Sequence, residues 1–273
     1  MLAVGVYFGL RGVEERGPAP ALRHARDLVA FEQRLGLRWE DAVQQAVVGH
    51  GGATPWNWVY IWGHWPVIAV TLLMLWHRAP TLYRRLRRAM VLSGLLGLVV
   101  FATYPVAPPR LADLGLIDTV SRQSHAYRVL QPPAFVNQYA AMPSLHVGWD
   151  LLVGLTVIAA TRRWWLRALG AAMPVLMGVA VLATANHYVV DVVAGVGFGL
   201  LGFTVSRGVE RRQVRRAAPS PRAVASPALA PVAHAPVTHA PVAVVPGAVV
   251  PVEPGAIPSP RSGVEVRPPS GCR

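Results

Sequence analysis

Apolar stretches long enough to cross a bilayer recur along this chain, and they constrain the fold more than any other feature. Inside hydrocarbon every backbone N–H and C=O must be bonded internally, so only helices and closed barrels can span. A spanning helix needs about 20 predominantly apolar residues. Five segments meet or approach that length: 56–76, 89–107, 145–161, 164–184 and 188–205. Residues 1–10 are apolar but too short to span, and read as the remainder of a first helix. The expected fold is all-α: a polytopic membrane helical bundle of about six transmembrane helices, the first short or truncated, with a disordered C-terminal tail. Trp56, Trp58, Trp62 and Trp65 crowd the start of the first full span and Trp76 marks its end, like interfacial aromatic belts. Pro174 should kink the fourth full span. Gly195, Gly199 and Gly202 should let another helix approach the fifth closely.

A formal charge of +13 would suggest nucleic acid in a soluble protein. Here all 26 basic residues are arginine, and they cluster in short runs between apolar segments. Topology explains that pattern better, and no nucleic-acid partner is expected. Arg78, Arg84, Arg85, Arg87 and Arg88 follow the first full span; Arg162, Arg163 and Arg167 separate the third from the fourth; Arg207, Arg211, Arg212, Arg215 and Arg216 follow the last. The positive-inside rule makes all three clusters cytoplasmic. Alternation then puts 11–54, 105–144 and the turn at His187 on the opposite, extracytoplasmic face of a cell membrane.

The chain divides into three. Residues 1–54 hold the short apolar start and a charged region in which Leu28, Phe31 and Leu35 share a helical face, which suits an amphipathic helix lying on the membrane. Residues 55–206 form the membrane-embedded domain. Residues 207–273 begin as a basic juxtamembrane segment and become a Pro/Ala/Val-rich tail from about Ala217. Frequent proline prevents helix and sheet, so a disordered cytoplasmic tail is expected, with partners the sequence does not name. The one cysteine, Cys272, excludes an internal disulfide and any cysteine metal cluster.

Two short stretches carry the candidate chemistry: Met142-Pro143-Ser144-Leu145-His146 and His187-Tyr188-Val189-Val190-Asp191. Each sits where an apolar segment begins, and polar groups at such depth usually mark a working site. Four residues apart at a helix start, His187 and Asp191 share a face. The carboxylate can then accept a hydrogen bond from one ring nitrogen and leave the other as nucleophile, or the pair can simply tie helices together. Pro143 suits a first helical turn, Ser144 offers a hydroxyl, and free N–H groups there form an anion site. His146 in that turn is placed to act as general acid. Arg110 follows three prolines just outside the second full span, held to clamp a phosphate or snorkelling at the interface.

These motifs resemble those of the type 2 phosphatidic acid phosphatase superfamily over roughly residues 56–206, and most of all its branch containing inositol phosphorylceramide synthase. The resemblance implies six membrane helices and a site without metal or cofactor. It implies that His187 attacks phosphorus and forms a phosphohistidine, that Asp191 orients it, and that His146 protonates the leaving oxygen. Arg110 and Ser144 would hold phosphate oxygens, with Tyr188 a further candidate for substrate binding. The common phosphatase pattern is Lys-x6-Arg-Pro, Pro-Ser-Gly-His and Ser-Arg-x5-His-x3-Asp. Here Thr103 stands for the lysine, Leu111 for the proline, Leu145 for the glycine, and Ala180 and Val181 for the Ser-Arg. Two phosphate-binding cations are therefore missing, while Pro-Ser-Leu-His and His-Tyr-x-x-Asp resemble the sphingolipid-synthase form of the site, which favours phosphotransfer; in a phosphatase Arg122, His125 or Arg128 would supply the charge.

Three functions fit. A lipid phosphotransferase would move a phosphoryl or inositol-phosphoryl group from a lipid phosphate donor to His187 and then to a lipid or polyol hydroxyl. A lipid phosphatase would use water instead. A transporter would use His146, Asp150, His187 and Asp191 as a proton or metal relay, although both His-x3-Asp pairs lie at span ends and no internal repeat is visible.

Overall fold

A computed structural model describes residues 18–48, 52–119 and 137–217. The apolar segment 1–10, the outer-loop residues Arg122, His125 and Arg128, and the tail beyond 217 lie outside the described residues.

The described chain is helical, with no strand among those residues. Helix α1 is Pro18–Leu35 and α2 is Glu40–Val48. Helices α3 (Ala53–Trp62) and α4 (Trp65–Arg78) together form the first span, α5 (Pro80–Thr103) the second. Then come α6 (Leu145–Ala160), α7 (Trp164–Ala183) and α8 (Val189–Ala217). Among the described residues, four candidate spans are long and apolar enough to cross a membrane: Ala53–Arg78, Pro80–Thr103, Trp164–Ala183 and Val189–Ala217. Helix α6, 16 residues and so about 24 Å long, is shorter. It packs against α4, α5, α7 and α8, so protein surrounds much of it and it needs less apolar length.

Three boundaries differ from expectation. The first span breaks at Gly63–His64, where His64 becomes the N-cap of α4. The second span starts at Pro80, not Ala89, so Arg84, Arg85, Arg87 and Arg88 are helical. Arginine is a good helix former, and hydropathy alone cannot see a helix continuing past the bilayer. The last helix likewise continues past Val205 to Ala217. These extensions meet: Arg85 pairs with Glu210 at 2.8 Å, and the Ser206 hydroxyl donates to the Arg85 carbonyl at 3.0 Å.

Helix α1 also differs. Its buried residues are Ala21, Ala25, Leu28, Val29 and Glu32, a helical stripe packed near Val106, Ala107, Ala141 and Tyr188. Phe31 and Leu35 are exposed. Small alanines let the helix lie close to the protein, so the packed face runs through Ala21, Ala25, Leu28 and Val29 and leaves Phe31 and Leu35 outside it. Gly36, at φ +67°, ends it: its N–H bonds the Gln33 carbonyl and the Leu37 N–H the Glu32 carbonyl, a Schellman ending.

Helices α6 and α8 touch backbone to backbone. A Cβ on Gly195 would collide with the Ser144 carbonyl, and one on Gly148 with the Gly195 carbonyl. Glycine permits this approach, as in other membrane bundles. Gly195→Ala should therefore cost about 1–3 kcal/mol, the range for overpacking, and lower the melting temperature of the detergent-solubilised protein. Gly197→Ala is the control, since nothing lies within 4 Å of its Cβ position. Equal melting temperatures for the two variants would contradict this packing.

Candidate active site

Both histidine motifs lie at one end of the bundle, tied by their backbones: the Ser144 N–H donates to the Asp191 carbonyl at 2.9 Å. The segment before Ser144 is held in turn by a short parallel pairing, with the Val106 N–H bonded to the Tyr139 carbonyl and the Ala141 N–H to the Val106 carbonyl. Pro143 precedes the helix after a cis peptide bond instead of opening it. Ser144 is the N-cap of α6.

His187 is buried in the turn before α8. Its Nδ1 lies 2.7 Å from the Ala141 carbonyl oxygen. A carbonyl only accepts, so Nδ1 carries the hydrogen, and in the neutral ring the lone pair is on Nε2. The expected orienting bond from Asp191 is not formed: Oδ2 is 3.6 Å from Nδ1, beyond hydrogen-bond reach. That oxygen instead accepts the Tyr188 N–H at 2.8 Å, closing the start of α8 as a capping-box acid does. Asp191 remains close enough to offset positive charge on the ring.

His146, in the first turn of α6, faces this ring edge-on with centroids 5.8 Å apart. Tyr60 stacks on it at 4.8 Å and His64 lies at 4.5 Å. The Ser144 hydroxyl and Asp191 Oδ1 are buried without a hydrogen-bond partner among the described residues. Such orphan groups call for a ligand or an ordered water. The first-turn N–H groups of α6 lie beside that hydroxyl, and such groups are donors suited to an anion.

Arg110 is tied to the same turn. Its N–H bonds the Ala185 carbonyl, Nη1 donates to Asn186 Oδ1 at 2.6 Å, and Nε lies 3.5 Å from Asp118 Oδ2. Asn186 immediately precedes His187, so the guanidinium is anchored to the turn that carries the nucleophile candidate and is not snorkelling. Its five donors exceed these two contacts. Tyr188 is placed differently. It is buried, and its hydroxyl donates to the Ala107 carbonyl at 3.0 Å. That proton serves the fold and is not free for a substrate.

Four further residues went unread in the sequence or were paired differently. His64 lies inside the first span, where a lone ionisable residue is itself a signal. Asp150 bonds His64 and not His146, Nδ1 to Oδ1 at 2.8 Å. Glu32 and Glu40 accept the Val190 and Val189 N–H groups at 2.7 and 2.9 Å. These carboxyl groups fill the start of α8 and leave the free donors at the start of α6. Among the described residues, no group of three or more His, Cys, Asp or Glu side chains is arranged to hold a metal ion.

A family model of the PAP2 superfamily matches residues 26–205. The chain belongs to this superfamily. No curated protein and no solved structure matches it. The match starts within α1, well before residue 56, so α1 and α2 belong to the family unit. Membership in the PAP2 superfamily supports a lipid enzyme of the phosphatase or phosphotransferase type.

Burial, above all, pushes the Glu32 carboxyl from 4.5 up to about 8; the bond from Val190 opposes this, and the nearby Glu40 and Asp191 charges add to it. Glu32 thus keeps its proton in the folded chain where the unfolded chain has lost it. Its contribution to stability is complete below pH 4.5 and declines as pH rises to about 8. Glu32→Gln keeps an oxygen for the Val190 N–H but cannot ionise. Melting temperature should therefore fall less steeply over that window in Glu32→Gln than in the parent; parallel curves would contradict the assignment.

Proposed function

We propose that this chain is an integral membrane lipid phosphotransferase that works through a phosphohistidine on His187. The observation that carries the reading is the Nδ1 bond of His187 to the Ala141 carbonyl, which leaves Nε2 for attack beside His146. In the first half-reaction Nε2 bonds to phosphorus, the bond from phosphorus to the lipid oxygen breaks, and His146 gives its proton to that oxygen. In the second, an acceptor hydroxyl attacks phosphorus, His146 takes the hydroxyl proton, and Nε2 is released. Arg110, the Ser144 hydroxyl and the first-turn N–H groups of α6 hold the phosphate oxygens. Asp191 offsets charge on the His187 ring. The steps call on no metal ion and no cofactor.

The group transferred is a phosphoryl or inositol-phosphoryl unit, and the acceptor a lipid or polyol. The Pro143-Ser144-Leu145-His146 and His187-Tyr188-Val189-Val190-Asp191 motifs, which resemble the sphingolipid-synthase form of the site, favour this over hydrolysis, and Thr103, Ala180 and Val181 depart from the Lys, Ser and Arg of the common phosphatase pattern. Water at the second step would make the same site a lipid phosphatase, a reading that superfamily membership keeps in play. The site is assigned to the extracytoplasmic face of the cell membrane, because α6 starts at the site and ends at the Arg162–Arg163 cluster.

A phosphorus-labelled lipid donor should label the parent protein with an acid-labile, base-stable adduct. His187→Ala should abolish both label and turnover. His146→Ala should slow turnover by about 10²–10⁴-fold, the range for general acid catalysis. Added alcohols such as diacylglycerol, ceramide or an inositol lipid should capture the label; release only to water would identify the phosphatase. Labelling that persists in His187→Ala would contradict the mechanism.

A further inference from the structure

A second histidine–carboxylate pair lies against the site, and the steps above do not use it. His64 sits at the break between α3 and α4, 2% exposed. Asp150 lies one turn after His146 on α6, 1% exposed. Their contact is 2.8 Å, from Nδ1 to Oδ1. A carboxylate oxygen accepts, so Nδ1–H donates and the ring is fixed in one orientation. Trp65 meets that ring edge-on at 5.2 Å, and Trp149 is near-parallel to it at 6.1 Å. Trp149 is itself held by the Ser93 hydroxyl, to which its indole N–H donates at 3.2 Å. His146 lies against the same ring at 4.5 Å.

The order in space is therefore Asp150, His64, His146, His187 and Asp191, three rings between two carboxylates. Burying an ionisable pair within a span is costly, and packing alone could be met by apolar side chains. The cost has a physical return if the pair acts on the ring it touches. His146 needs positive charge while it holds the proton meant for the leaving oxygen, and in a low-dielectric interior a nearby carboxylate stabilises that charge strongly. Asp191 is engaged at the start of α8 beside His187, so Asp150, acting through His64, is placed to do this for His146.

We propose, resting on the phosphohistidine reading above, that His64 and Asp150 are positioning residues for His146. They hold its ring toward the leaving oxygen and stabilise its charged form through the Asp150 carboxylate. The pair touches no reacting atom and forms no bond to phosphorus. It acts through His146 on proton transfer, and its effect is read in the first half-reaction, where the leaving oxygen receives a proton.

The test compares the rate of covalent protein labelling, which reports the first half-reaction alone, for two phosphorus-labelled donors on each purified full-length variant. One is a lipid donor with an alkyl leaving group, which needs a proton. The other carries the same phosphoryl group on p-nitrophenol, whose oxygen leaves unprotonated. The ratio of the two rates on one sample cancels the fraction of protein that is folded. His146→Ala should slow the alkyl donor far more than the nitrophenyl donor. Asp150→Asn and His64→Gln should do the same by about 10–100-fold, the range for outer-shell partners, and Asp150→Glu should recover part of the loss. If Asp150→Asn and His64→Gln slow both donors equally, or neither, while His146→Ala discriminates, the pair is structural and this inference falls alone. If His146→Ala slows both donors equally, the general-acid assignment falls and takes the inference with it.

Discussion

The hydrogen bond from the Ser144 N–H to the Asp191 carbonyl couples two motifs more than forty residues apart in sequence. It can form only because Gly195 lets the start of α6 lie on α8 without a side chain between them. Everything reactive hangs on that contact. It sets His146 on one helix against His187 before the other. It also leaves the Ser144 hydroxyl buried and unpartnered at the mouth of a helix whose free N–H groups attract anions. A fraction of an ångström of separation would weaken the geometry for the proposed transfer, since proximity supplies much of the rate in such reactions.

The elements around this contact divide the work between charge and shape. Glu32 and Glu40 reach in from α1 and α2 to close the start of α8, so the helix that follows the nucleophile candidate is capped by protein and not by substrate. The Ala141 carbonyl fixes the His187 tautomer from a segment tethered to Val106. Arg110 is attached through Asn186 and Ala185 to the same turn. At the opposite end, Arg85 and Glu210 join α5 to α8. The end that carries the histidine motifs is thus built from backbone bonds and carboxyl groups, and the other end holds the arginine cluster of α5 and α8.

Much of this was legible in the sequence because membrane insertion leaves a strong imprint. The spans follow from apolar length, and the histidine motifs stand out because ionisable groups are rare at that depth. Helix ends were less visible: Pro80 and Ala217 lie beyond the apolar stretches, where arginine-rich turns stay helical. The break at Gly63–His64 was hidden inside an apolar run. Spacing placed Asp150 with His146, yet the side chain turns to His64 from another helix. The same limit explains Asp191, whose oxygen goes to the Tyr188 N–H while a distant carbonyl takes the ring. Glu32 and Glu40 cap a helix about 150 residues onward, a pairing no local pattern encodes. Local spacing tells which face a residue occupies; tertiary contacts decide which partner it meets.

The central claim is that His187 presents Nε2 as its free nitrogen because Nδ1–H is held by the Ala141 carbonyl. Nitrogen-15 NMR of histidine-labelled protein tests it directly, with the His187 resonances assigned by their loss in His187→Gln. The neutral ring should show a protonated, pyrrole-type Nδ1 and an unprotonated, pyridine-type Nε2. A protonated Nε2 in the neutral ring would contradict the account, because no lone pair would then be available for attack on phosphorus.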